Sequence, residues 1–228
     1  MVLTGAVVSP TLDILSRSGR TVHVLTLPQH RTEGPFVGVR AFVGLSALAT
    51  RLALGLGNVA RADALHDQLP HLIDTAKSAA DALASKITAL SGWQSRTWTI
   101  LTSGFAEPVH AAYQSLLAES GLAMVSWFDV GDYTHGNYHA AVGASARAMI
   151  LVLTDATTKT AGMLIERRLG PYVPVFNLSL GETPEETIWS HVLSAVFLTK
   201  VLARTAGVSL RHPHRPTAAR TWKRWDLK

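Results

Sequence analysis

"TWTILTSGFAEPVHAAYQSLLAESGLAMVSWFDV", Thr97 to Val130, decides the fold. Its first residues are β-branched and apolar and stop at Thr102, Ser103 and Gly104, which reads as a strand closed by a turn. Glu107 to Gly121 then reads as a helix, and Leu122 to Val130 returns to strand as an apolar run that looks buried. A helix between two short apolar strands is the crossover that parallel neighbours require.

The same rhythm continues toward the C-terminus. "RAMILVLTD" (Arg147–Asp155) is a strand, "TTKTAGMLIERRLG" (Thr157–Gly170) a helix and "VPVFNLSL" (Val173–Leu180) a strand. The long helix "TPEETIWSHVLSAVFLTKVLARTAG" follows, opened by Thr183, Pro184 and Glu186 in a capping-box arrangement. Toward the N-terminus the pattern is less regular. Ser9 and Pro10 open a helix over "SPTLDILSRSGR", "TVHVLTLP" is a strand ended by Pro28, and Val39 to Leu56 is an apolar helix. "ADALHDQLPHLIDTAKSAADALASKITAL" is amphipathic and helical, with Pro70 expected to break or restart it. "GLGN" (Gly55–Asn58) is a helix end rather than a dinucleotide loop, because no strand precedes it and the third glycine is missing. The expectation is an α/β fold: one three-layer αβα sandwich with a parallel sheet over residues 1–210, and a basic tail over 211–228.

The net charge is +5, and six basic residues of the tail against Asp226 alone account for all of it. A chain-wide argument for nucleic-acid binding therefore reduces to one segment, and a nucleic-acid partner is not expected. Without cysteine there is no disulfide, thiolate nucleophile or Cys-zinc site. The longest apolar stretches are interrupted by Arg51, His191 and Lys200 and are too short to span a bilayer, and no signal peptide is recognisable. A cytoplasmic protein without membrane association is the expectation.

Between two apolar runs lies "DYTHGNYHAAV", Asp132 to Val142, which holds two histidines, two tyrosines, an acid and an amide. A simple turn does not need this density of hydrogen-bonding groups, so the loop reads as ligand-facing, with His135, Asn137, Tyr138 and His139 as candidates. The plainer alternative is a polar loop that caps the next helix through Asn137. His135 and His139 are four apart, but Gly136 opposes a helix there and no partner carboxylate is evident, so no metal is expected. In open α/β sheets ligands sit beyond the carboxyl ends of strands. Thr102, Ser103 and Gly104 form a second such end, suited to an anion through hydroxyls and free amides, or else a plain N-capped turn.

Taken together, Gly104 after a strand, Glu119 in "SLLAESG" and His135-Gly136 in "DYTHGN" resemble the sugar isomerase (SIS) domain, best known from the isomerase half of glucosamine-6-phosphate synthase. Glu119 and His135 are sixteen positions apart, as the resemblance implies for the family's glutamate base and its histidine. "EGPFVGV" (Glu33–Val39), "SPTLD" (Ser9–Asp13) and the closing "HPHRPTAARTW" are similar to further family segments. The resemblance implies a flavodoxin- or Rossmann-like sheet and sugar-phosphate aldose–ketose isomerisation, or a related lyase or deaminase reaction, through an enediol-like intermediate. It implies Glu119 as base and His135 as the ring-opening acid/base. Ser9, Thr11, Thr102, Ser103, Gly104, Asn137, Tyr138 and His139 would bind substrate, with Arg220 or Lys223 in the role of the family's C-terminal lysine. It implies no cofactor.

The chain departs from the family in lacking the first strand and phosphate loop, so the domain is expected to be incomplete at its N-terminus. It also has Phe36 in place of an acid, Leu116 in place of a lysine and Asn137 at a proline position. These departures keep a second reading open, a non-catalytic SIS module that binds a sugar phosphate or nucleotide and regulates or scaffolds a partner. In either case a homodimer, or a heteromer with another SIS-type chain, is expected.

Overall fold

The structure is a computed structural model that describes residues 2–4, 24–26, 59–102 and 106–210. The chain divides into two compact units, Met1–Leu69 and Pro70–Lys228. In the first, β1 (Val2–Thr4) and β2 (Val24–Thr26) pair in parallel. The expected helices over 9–20 and 39–56 lie outside the described residues.

Helix α1 spans Val59–Thr88. Pro70 lies inside it, contrary to the expectation of a break or restart. The ring removes one backbone donor and frees the carbonyl four residues back. Pro70 is exposed, so water can satisfy that carbonyl. Leu72, Ala76, Ala80, Leu83, Ala84 and Ile87 recur at helical spacing as its buried stripe.

The second unit is built on a four-stranded parallel sheet in the order β4-β3-β5-β6, where β3 is Thr97–Thr102, β4 Met124–Asp129, β5 Ala148–Thr154 and β6 Val175–Ser179. Every pairing is parallel: Thr102 stands opposite Asp129, Leu101 opposite Val152 and Val152 opposite Asn177. Helix α2 (Ala106–Glu119) joins β3 to β4, and a short helix α3 (Tyr138–Gly143) lies between β4 and β5. Helix α4 (Lys159–Leu169) joins β5 to β6, and α5 (Pro184–Thr205) ends the described chain. The α/β expectation holds, strand by strand and helix by helix, from Thr97 onward.

Alternation divides the core. Leu101, Ile150 and Val152 share one face with Tyr133, Ala141 and Ile165 from the β4–β5 segment and α4. Trp98, Ile100, Met149, Leu151 and Leu153 point to the other face, where α2 packs against β4 and α5. β5 is buried along its whole length, as a central strand covered on both faces must be. β4 corrects the sequence reading: it is an edge strand, with Met124 77% and Trp127 45% exposed, and among the described residues only β3 pairs with it.

Candidate functional site at the carboxyl edge of the sheet

The strand order places a switch point between β3 and β5. From β3 the chain moves outward to β4 through α2 on one face, and from β5 it moves the other way to β6 through α4 on the opposite face. The two connections therefore diverge, which makes the carboxyl ends of β3 and β5 the place where ligands of such sheets bind.

Thr102, at the end of β3, is fully buried, and its Oγ1 is 2.7 Å from Nε2 of His110 on α2. His110 is itself buried, and its ring stacks on Trp127 of β4 with centroids 4.2 Å apart. Burial lowers the pKa of this imidazole, opposed by the charge of Asp129. At the end of β5, the carbonyl of Thr154 lies 3.0 Å from Nε2 of His191 on α5. Asp155 follows, and its carboxylate accepts from the Thr158 amide, the Thr158 hydroxyl and the Thr157 hydroxyl at 2.7 to 2.8 Å. Partial burial would raise the Asp155 pKa, but these hydrogen bonds outweigh it and hold the carboxyl below its ordinary value. The arrangement fixes the start of α4 at the carboxyl end of β5.

The loop singled out in the sequence is wound rather than open. Asp129 caps a single turn, Val130–Asp132, by accepting from the Gly131 amide at 2.7 Å. The winding continues through Tyr133–Asn137 and kinks at His135 and Gly136, whose φ of 131° only glycine adopts readily. His135, Asn137 and His139 are exposed and Tyr138 is half-buried. Asn137 makes no side-chain cap, and its Nδ2 is 3.4 Å from the Asp132 carbonyl. Tyr138 and His139 do line a cavity of about 520 Å³, together with Tyr133, Val142, Leu164, Arg168 and Tyr172. No group of three or more metal-binding side chains occurs among the described residues.

Glu119 is the last residue of α2 and is exposed. A tight turn through Gly121 (φ 70°) leads from it to Met124 at the start of β4, whereas His135 follows the end of that strand. The six residues of β4 span about 20 Å. One chain therefore does not bring Glu119 and His135 together. Ser9, Thr11, Ser103, Gly104, Arg220 and Lys223 lie outside the described residues. His110, His191 and the Thr154–Thr158 turn were not singled out in the sequence, although "LTDATTKT" is a strand-to-helix turn of the same kind as "LTSGFAEP".

A parallel sheet flanked by helices, with a switch point between two of its strands, is an α/β fold, and the fold is SIS-like. Among solved structures, a glucosamine-6-phosphate deaminase from Thermotoga maritima shares it at 14% identity and a TM-score of 0.58, over 83% of this chain and 58% of that one. A glucose-6-phosphate isomerase like protein from Thermus thermophilus shares it at 13% identity and a TM-score of 0.55, over 90% of this chain and 71% of that one. The chain thus spans little more than half the length of the deaminase. No family model and no curated protein matches the sequence.

Proposed function

We propose that the chain binds a phosphorylated sugar at the carboxyl edge of its sheet and interconverts aldose and ketose forms as a SIS-type isomerase. The observation that supports this reading best is the switch point between β3 and β5, where the strands end at Thr102 and Thr154 and the Asp155–Thr158 turn opens the next helix. After an acid/base has opened the ring, aldose–ketose isomerisation moves the C2 proton to C1 through an enediol, as O1 gains a proton and O2 gives one up. Glu119 serves as the base. His135 protonates the ring oxygen and takes the anomeric hydroxyl proton.

Because β4 separates these two residues in one chain, each site is composite, with Glu119 from one protomer and His135 from its neighbour. The reading therefore includes a homodimer, or a heteromer with another SIS-type chain. The test is proton exchange at C2 of glucose 6-phosphate and related sugar phosphates in deuterated water. Wild type exchanges, Glu119→Gln does not, and mixing Glu119→Gln with His135→Ala protomers restores part of the activity. Unchanged exchange in Glu119→Gln overturns the assignment.

The exposure of Glu119 favours a second reading, a non-catalytic module that binds the same ligands. A side chain open to solvent is not enclosed around a reacting carbon as a general base is in a closed site. Stabilisation of the protein by sugar phosphates, with no exchange at any carbon, selects this reading.

A further inference from the structure

Helices α2 and α5 both start at the carboxyl edge of the sheet and run back along it, so they are parallel to each other. They are tied by one buried hydrogen bond, Tyr113 Oη to Ser194 Oγ at 2.6 Å. His110 precedes Tyr113 by three residues and His191 precedes Ser194 by three. One turn nearer the carboxyl edge, the same interface therefore carries two buried imidazoles, His110 3% and His191 0% exposed. Each reaches the end of a different strand: His110 the Thr102 side chain of β3, His191 the Thr154 carbonyl of β5. β3 and β5 are the neighbouring strands whose ends flank the switch point.

We infer that His110 and His191 are paired positioning residues, which hold the ends of β3 and β5 in the arrangement that receives the anionic ligand. This rests on the sugar-phosphate reading for the identity of the ligand, but not for the geometry that is held. Neither imidazole needs to touch the ligand. His191 donates from Nε2 to a carbonyl, so its Nδ1 carries a lone pair in the neutral ring. Among the described residues His110 Nδ1 has no hydrogen-bond partner, so the charged ring, which carries a proton on both nitrogens, would hold an uncompensated N–H.

Burial favours the neutral form of both rings. It lowers the pKa of His110 and takes that of His191 down to about 4, where the bond to Thr154 and the charge of Asp155 oppose the shift. Among the described residues, titratable groups that face them include Asp129 from β4, Asp155 after β5 and Tyr113 from α2, the last through Ser194. A second proton on either ring would place a poorly solvated positive charge in the buried interface between α2 and α5.

The experiment uses the full chain with His110→Gln, which keeps a hydrogen-bonding amide for Thr102 and does not titrate, and His110→Phe, which keeps a ring for Trp127 and loses the bond. Amide hydrogen exchange at Leu101 and Thr102 is measured without ligand, and glucose 6-phosphate affinity by calorimetry at neutral pH and at pH 5. The expected result is faster exchange and about fivefold to tenfold weaker binding in His110→Phe, with His110→Gln close to wild type at neutral pH. Wild type loses affinity at pH 5, and His110→Gln loses less.

If His110→Phe does not fold, Thr102→Val removes the same bond from the strand side and carries the same expectation. Equal behaviour of the Gln and Phe variants, or unchanged exchange in the variant that lacks the bond, overturns the inference. If wild type binds no sugar phosphate while exchange responds as expected, the sugar-phosphate reading fails and the positioning role stands.

Discussion

The hydroxyls of Tyr113 and Ser194 lie 2.6 Å apart in the buried seam between α2 and α5, and Ser194 Oγ also donates to the His191 carbonyl at 2.9 Å. That second bond leaves one arrangement: Tyr113 donates to Ser194, and Ser194 donates onward. Burial raises the Tyr113 pKa far above its ordinary value, so the phenol remains the donor at any working pH. The pair is therefore asymmetric. Tyr113→Phe removes a donor and leaves Ser194 bonded to its carbonyl, at a cost of about 1 kcal/mol. Ser194→Ala leaves the phenol hydroxyl buried without an acceptor, at a cost of about 1–3 kcal/mol. Urea denaturation should rank Ser194→Ala as the more damaging change, and the reverse order would disprove this donor assignment.

Stability should decline on the acid side through His191. Its pKa in the folded chain, about 4, lies below the ordinary histidine value of 6.5. The unfolded chain therefore takes up the proton first as pH falls. The stability contributed by the neutral, buried ring is fully present above about pH 6.5 and is lost progressively down to about pH 4. The loss over that window is on the order of 3 kcal/mol. His110 adds to it in the same direction. His191→Gln, which keeps a donor for the Thr154 carbonyl, should flatten this limb of the urea-derived stability profile. A profile as steep as that of wild type would show that the acid sensitivity lies elsewhere.

Two glycines with positive φ separate backbone strain from steric clash. At Gly136 (φ 131°) an added Cβ meets nothing within 4 Å, so Gly136→Ala carries backbone strain alone, about 1–3 kcal/mol. At Gly181 (φ 84°) the Cβ would also collide with the amide nitrogen and Cα of Thr187 at the start of α5. There Thr183 accepts from the Glu186 amide, and the Glu186 carboxylate takes the Thr183 amide in return. This capped end is well fixed and cannot easily give way. Gly181→Ala should therefore lower the melting temperature more than Gly136→Ala does. Comparable melting temperatures would mean that the start of α5 yields.

The sequence made the elements from Thr97 onward legible because each carries its own periodicity and stop signal: Pro184 behind a capping threonine, and the hydroxyls that end "TWTILT" and "MILVLT". It misplaced the break at Pro70, because whether a lost backbone bond can be met by water depends on exposure, which periodicity alone does not give. It took Met124–Asp129 for a buried strand because an apolar run records propensity and not position in the sheet. The site was harder to read. Glu119 and His135 are sixteen positions apart, as the resemblance implies, but six of the residues between them are a strand that carries the chain from one edge of the sheet to the other. His110 and His191 were invisible as a pair because each is a lone histidine in an apolar helix, and only the parallel packing of α2 and α5 aligns them.

The cavity beside α4 gives the loop "DYTHGNYHAAV" a separable test. Its wall combines Tyr138 and His139, whose rings are 4.1 Å apart, with Tyr172, Leu164 and the guanidinium of Arg168. Aromatic faces pack against the C–H faces of a ring, and an arginine fork pairs with a phosphate through two parallel bonds. Arg168 lies in the last turn of α4, where the negative end of the helix dipole favours a cation and opposes an anion. A phosphate bound here would consequently depend on Arg168 almost entirely. If the loop's aromatic residues serve the sugar-phosphate ligand, Arg168→Ala should weaken glucose 6-phosphate binding by about tenfold, the loss expected for one charge-assisted pair at a partly exposed site. Arg168→Lys should recover only part of it, since a point charge lacks the planar fork. Calorimetry on both variants reads the outcome. Binding unchanged in Arg168→Ala would assign the ligand to the carboxyl ends of β3 and β5 alone and leave Tyr138 and His139 without a role in holding it.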